Sequence, residues 1–96
     1  MNRKAAIHSL LGVIAFELLE FIRESESAHE DRWVAAADIK NKLELNFVAV
    51  PKEGEQYGEK GWLFAILARM LEDQELVEYR KDGNRAYYRS KVQSER

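Results

Sequence analysis

The sequence predicts a small, mainly helical α+β domain: three helices, one short strand and a C-terminal β-hairpin. Three observations lead there. Residues 3–24 and 59–74 carry apolar side chains at helical spacing. Residues 76–89 are rich in β-formers placed around Asp82-Gly83, a strong two-residue turn signal. The length, 96 residues, suits one domain with a modest core, so residues 1–96 are read as a single unit.

Helix 1 is expected over residues 3–24. It has no proline, and Gly12 is its only weak helix former. Apolar residues at 7, 10, 11, 14, 18, 21 and 22 make the expected stripe, but 13, 15, 16 and 19 are apolar too. A surface helix of a monomer would be polar there. So short a chain cannot easily cover the whole helix. Helix 1 is therefore expected to build a homodimer, with Leu11, Ile14 and Leu18 at the interface. Arg3 and Lys4 before an apolar run give the outline of a leader peptide. Glu17 and Glu20 interrupt the run on a helical period, which argues against both a leader and a membrane span. A cytoplasmic protein without a membrane partner is the expectation.

Residues 25–31 (SESAHED) read as a solvated connection, and 32–34 as a short extended stretch. Helix 2 is expected over 36–45, with Ala36, Ile39 and Leu43 inward and Lys40 and Lys42 outward. Residues 46–58 form a long connection for so small a domain, and Val50 before Pro51 is pushed toward an extended conformation. Helix 3, over 59–74, should bury Leu63 or Phe64 together with Leu67, Met70 and Leu71. That leaves Trp62, Ala65, Ile66 and Arg69 outward. Glu59 suits the positive end of the helix dipole.

The hairpin is the best-defined local feature. With Asp82 and Gly83 as the central turn residues, Arg80 faces Arg85, Tyr79 faces Ala86 and Val77 faces Tyr88. Val77, Tyr79, Ala86 and Tyr88 then share the core face. Glu78, Arg80, Arg85, Tyr87 and Arg89 share the other. Opposed arginines carry a small cost, which an anion would offset.

Composition narrows the function. Hydrophobic residues make up 46% and charged residues 33%, a foldable balance. The absence of cysteine excludes a disulfide scaffold, a thiolate metal site and a cysteine nucleophile. His8 and His29 have no ligand companion at helical spacing, so no metal or cofactor is expected. No serine sits in a Gly-x-Ser-x-Gly turn, no phosphate loop is present, and the pairs Glu26/Glu30 and Glu53/Glu55 fall in polar loops. An enzyme is not expected. Net charge is −2, but its distribution matters more. Between Tyr79 and Lys91 lie five bases and one acid.

Against this background the segment LEDQELVEYRKDGNRAYYRS resembles the end of the third helix and the wing of winged helix-turn-helix proteins. WVAAADIKNKL resembles the short first strand and second helix of the same superfamily. The resemblance covers roughly residues 32–90. It implies a winged-helix fold and a transcription-regulator-like module, often a homodimer, whose third helix enters the major groove of duplex DNA while the wing contacts the backbone. Two features depart from the pattern. The turn between helices 2 and 3 is about 13 residues instead of a few, and the third helix lacks the usual polar reading face.

The residues expected to contact DNA are Lys60, Arg69, Arg80, Lys81, Arg85 and Arg89. For the hairpin bases the plain alternative is a charged, solvated surface. Arg69 either reaches a base or phosphate or pairs with Glu72 or Asp73. Trp62 either anchors a protein partner or caps the core. The second functional reading is therefore a protein-interaction module that keeps the fold without reading DNA.

Overall fold

A computed structural model describes residues 2–45 and 61–91. The long connection and Lys60 lie outside the described residues. The element order is α1 (Arg3–Glu26), β1 (Val34–Ala35), α2 (Ala36–Lys42), α3 (Trp62–Asp73), β2 (Val77–Asp82) and β3 (Arg85–Ser90). The strands form one antiparallel sheet in the order β1-β3-β2. The described residues thus make an α+β architecture of three helices and a three-stranded sheet.

Local chemistry explains the boundaries. Asn2 caps α1, its side-chain oxygen accepting the Ala5 N–H at 3.2 Å. α1 runs two residues past the expected end, taking in Ser25 and Glu26. Arg32 turns the chain with a φ of 67°, so the first strand begins at Val34 and not at residue 32. α2 stops at Lys42, short of the expected 45, because Glu44 goes left-handed (φ 55°). The Leu45 N–H then returns to the Lys40 carbonyl at 2.8 Å. α3 ends the same way: Glu75 has φ 61°, and the Leu76 N–H reaches the Leu71 carbonyl at 2.9 Å. Both are Schellman endings with glutamate where glycine is usual. At its start, Gly61 sets the boundary of α3 with a φ of 77°. A Cβ there would meet Lys40 Cδ at 3.0 Å.

The core lies where α1, α3 and the sheet meet. α1 contributes Ala15, Leu18, Leu19 and Ile22; α3 contributes Phe64, Leu67, Ala68 and Leu71. Val34, Ile39, Val77 and Tyr88 close it. Of the pair Leu63 or Phe64 it is Phe64 that is buried; Met70, expected inside, is only partly buried, and Ala68 is buried as well. Leu18 is 2% exposed, so it belongs to this core and is not surface offered to a second chain. By length and composition α1 is apolar enough to cross a membrane, so Glu17 and Glu20 do not exclude a span as the sequence suggested. From Ala15 onward, however, one face of the helix is packed inside the protein.

The hairpin keeps the expected faces but not the expected register. Asp82 opposes Arg85, Arg80 opposes Tyr87, and Tyr79 opposes Tyr88. The central turn residues are Gly83 and Asn84. Gly83 takes the left-handed conformation (φ 64°), and glycine leading a two-residue turn is the type II′ pattern. The opposed pair of arginines, with its electrostatic cost, therefore does not occur. Val77, Tyr79, Ala86 and Tyr88 still share a face, because the shift moves each residue by two positions along its partner. β2 is an edge strand, which leaves Tyr79 42% exposed on that face.

A polar clasp joins the end of α1 to the end of β3. The Glu26 carboxylate accepts the Ser90 N–H at 3.0 Å and the Ser90 hydroxyl at 2.5 Å. Arg32 donates to the Ser90 carbonyl at 2.6 Å and to Glu26 at 3.4 Å. Glu26 is therefore a structural anchor and not part of a solvated loop.

Two predictions follow from this packing. Leu67→Ala removes a side chain at the centre of the core and should cost about 2–5 kcal/mol. Its exposed neighbour variant, Ile66→Ala, should cost less than about 1 kcal/mol. Urea unfolding of both variants measures the contrast, and similar losses would contradict the assigned packing. The second concerns alkaline pH. Burial, with smaller contributions from Tyr79 and Glu72, pushes the Tyr88 hydroxyl up to about 12. Its neutral form favours the folded chain. That stability is complete below pH 10 and is lost as pH rises through 10 toward 12, because the unfolded chain ionises first. Tyr88→Phe should flatten the loss of stability across that window, and superimposable profiles would refute the link.

Candidate nucleic-acid interface

The outer face of the sheet is organised around Trp33. The Arg89 guanidinium lies over its ring at 4.2 Å and that of Arg80 at 5.2 Å. Arg80 also lies 5.5 Å from the ring of Tyr87, its cross-strand partner. Such contacts are each worth about 0.5–1 kcal/mol at an exposed site. Arg89 is held further. Its Nε donates to Glu78 at 2.6 Å and one terminal nitrogen donates to the Asp31 carbonyl at 3.1 Å. Asp31 in turn accepts the Trp33 N–H at 3.1 Å. Arg89, expected to meet phosphate, is thus a structural member of this stack. Arg80 is exposed but stacked on two rings.

The remaining hairpin bases sit at the tip. Lys81 and Arg85 are exposed and have no ionic partner among the described residues. Lys81 shares the face of Tyr79 and Ala86, whereas Arg85 shares that of Arg80 and Tyr87.

Two hollows adjoin on the side where α2, α3 and the hairpin meet. One, of about 440 Å³, lies between α3 and the inner hairpin face, with Lys40, Arg69, Tyr79 and Tyr88 in its lining. The other, of about 470 Å³, lies between α2 and the hairpin turn, with Lys40, Asn84 and Arg85 in its lining. They share Ala36, Lys40 and Ala86. Arg69, Lys40 and Arg85 consequently form a basic row from α3 across to the hairpin. Glu72 lines the first hollow and Asp38 the second, so the row is not purely positive.

Lys40 was missed as a site residue. Its outward position on helix 2 was legible, but its nearness to Arg85 depends on the sheet bringing the turn back beside α2. It also lies 5.8 Å from the Phe64 ring, closer to the body than an outward lysine would be. Arg69 pairs with Asp73 at 3.0 Å, and that hydrogen bond and charge raise its pKa above the ordinary arginine value. Trp62, 37% exposed, and Ile66, 47% exposed, share the outer face of α3 with Ala65 and Arg69, as the spacing predicts.

Trp33 is the residue on which the arginine stack depends. Trp33→Ala should destabilise the chain by about 2 kcal/mol through lost burial and cation–π contact. Thermal unfolding checks this, and an unchanged midpoint would show that the stack contributes nothing.

No protein-family model, no curated protein and no solved structure matches this chain.

Proposed function

We propose that the chain is a winged-helix DNA-binding module, acting as a dimer in transcriptional regulation and gripping the duplex mainly by its phosphates. The hairpin of β2 and β3 is the wing. The observation that carries this reading is the basic row Arg69–Lys40–Arg85, extended at the hairpin tip by Lys81. The order of the elements, with the first strand added beside the hairpin, supports the same reading. Half or more of protein–DNA hydrogen bonds go to phosphate and sugar, and lysine and arginine suit that task. The outer face of α3 offers one donor-rich side chain, Arg69, and base readout needs several.

A second reading rests on a different observation. Trp62, Ala65 and Ile66 leave an apolar strip on α3, the kind of surface that more often meets protein. In that case the fold serves as an interaction module without DNA.

Binding to a random-sequence duplex, measured by fluorescence anisotropy across salt concentrations, separates the two. The wild type should bind more weakly as salt rises, because each neutralised phosphate releases counterions. Replacing Lys40, Lys81 and Arg85 together with alanine should weaken binding to every sequence and flatten the logarithmic salt slope by roughly 0.9 per lost contact. An unchanged slope would overturn the phosphate assignment. Substituting Arg80 or Arg89 is a poorer test, since both belong to the Trp33 stack.

A further inference from the structure

Among the described residues nothing buries the first half of α1. From Arg3 to Ile14 no residue is buried, a length of about 18 Å at the α-helical rise. Ile7, Leu10, Val13 and Ile14 are 57%, 62%, 57% and 45% exposed. An apolar helix of this kind is not stabilised by water.

The pattern of that surface is specific. Arg3, Ile7, Leu10, Ile14, Glu17 and Phe21 recur in alternating steps of four and three, the spacing of a helix–helix seam. The seam leads into a groove of about 350 Å³ on the same protein. Phe21, Leu45 and Leu67 give it an apolar lining, and Glu17, Glu20 and Glu24 an acidic one. Glu20 is paired with Arg23 at 2.8 Å, but Glu17 and Glu24 have no ionic partner among the described residues. Nor do Arg3 and Lys4 at the other end of the helix. One end of the seam is therefore basic and the other acidic.

We propose that a second copy of this chain covers α1 in antiparallel orientation. Leu10 meets Leu10 of the second copy, Ile7 meets Ile14, and Arg3 of each copy sits at the acidic mouth of the groove on the other. Each contact occurs twice, as two-fold symmetry requires. A parallel pair would set Arg3 against Arg3 and Glu17 against Glu17, and like-charge contacts oppose it. The antiparallel pair removes the exposed leucine and isoleucines from water at both ends. A specific interface needs at least about 1,000 Å² buried in total.

The inference rests on the dimeric reading above and adds its orientation and register. The chain has no cysteine, so single-cysteine variants report contacts cleanly. Sedimentation of the full chain should first give a dimer. Under mild oxidation Leu10→Cys should cross-link with itself. Arg3→Cys mixed with Glu17→Cys should give a mixed dimer, while neither should cross-link alone. Glu17→Lys should raise the dimer dissociation constant about ten-fold, and adding Arg3→Glu should restore it. Self-cross-linking of Arg3→Cys would overturn the antiparallel arrangement and leave the dimer standing. A wild-type chain that stays monomeric at tens of micromolar, or that floats with phosphatidylcholine vesicles, would overturn both.

Discussion

Ala15, Leu18, Leu19 and Ile22 form a strip about two turns long on α1, and the other layers are built against it. α3 and β3 both pack on this helix, and β1 meets it as well. The strip sets how far α3 stands from the sheet. The clasp at the helix end sets the direction of approach, because Glu26 accepts from both donors of Ser90 while Arg32 donates to the Ser90 carbonyl and to Glu26. A partly buried ion pair contributes little net stability after desolvation. Removing one member would leave the other charged and unpaired beside the core. The clasp therefore acts chiefly as a locator: it holds the last residue of β3, and through it the whole hairpin, at one place on α1.

The same helix meets two environments. Its second half is bound into the core, and its first half leaves the body with large apolar side chains still exposed. The helix of 24 residues runs across that junction without a proline. In the proposed dimer, the seam on the free half fixes the separation of two bodies, and with it the separation of two basic rows. For a duplex-binding dimer that separation is a geometric property of the binding site. The register of α1 would thus reach the DNA without any residue of the seam touching it.

The fold class was legible because its determinants are local. Helical spacing located all three helices, and alternation placed Val77, Tyr79, Ala86 and Tyr88 on one face. The hairpin register was not legible. Asp82-Gly83 and Gly83-Asn84 are both acceptable turns, they give the same two faces, and only long-range contacts choose between them. The observed register puts Tyr79 against Tyr88, with ring centres 5.2 Å apart, and Arg80 against Tyr87. The site was legible only in part for a similar reason. Five bases near the C-terminus announced a charged segment, but Trp33 lies more than forty residues before the arginines it organises. No periodicity within the hairpin points to it. The clasp between Glu26 and Ser90 spans 64 residues and is equally hidden.

The stack around Trp33 also limits what kind of recognition the proposed function allows. Of the bases in the hairpin strands, Arg89 is bonded to Glu78 and Asp31, and Arg80 lies against two rings. Lys81 and Arg85 remain, with Lys40 from α2 and an Arg69 that already holds Asp73. Four cations per chain, three of them sharing a hollow with Glu72 or Asp38, make a modest electrostatic grip. A single chain would bind weakly and with little dependence on sequence. Pairing through α1 changes this, because the second set of contacts then forms within one complex at a high effective concentration. On this view the uncovered helix and the sparse basic row answer each other. In the proposed dimer a row too small to hold DNA firmly alone would gain a second row through the helix.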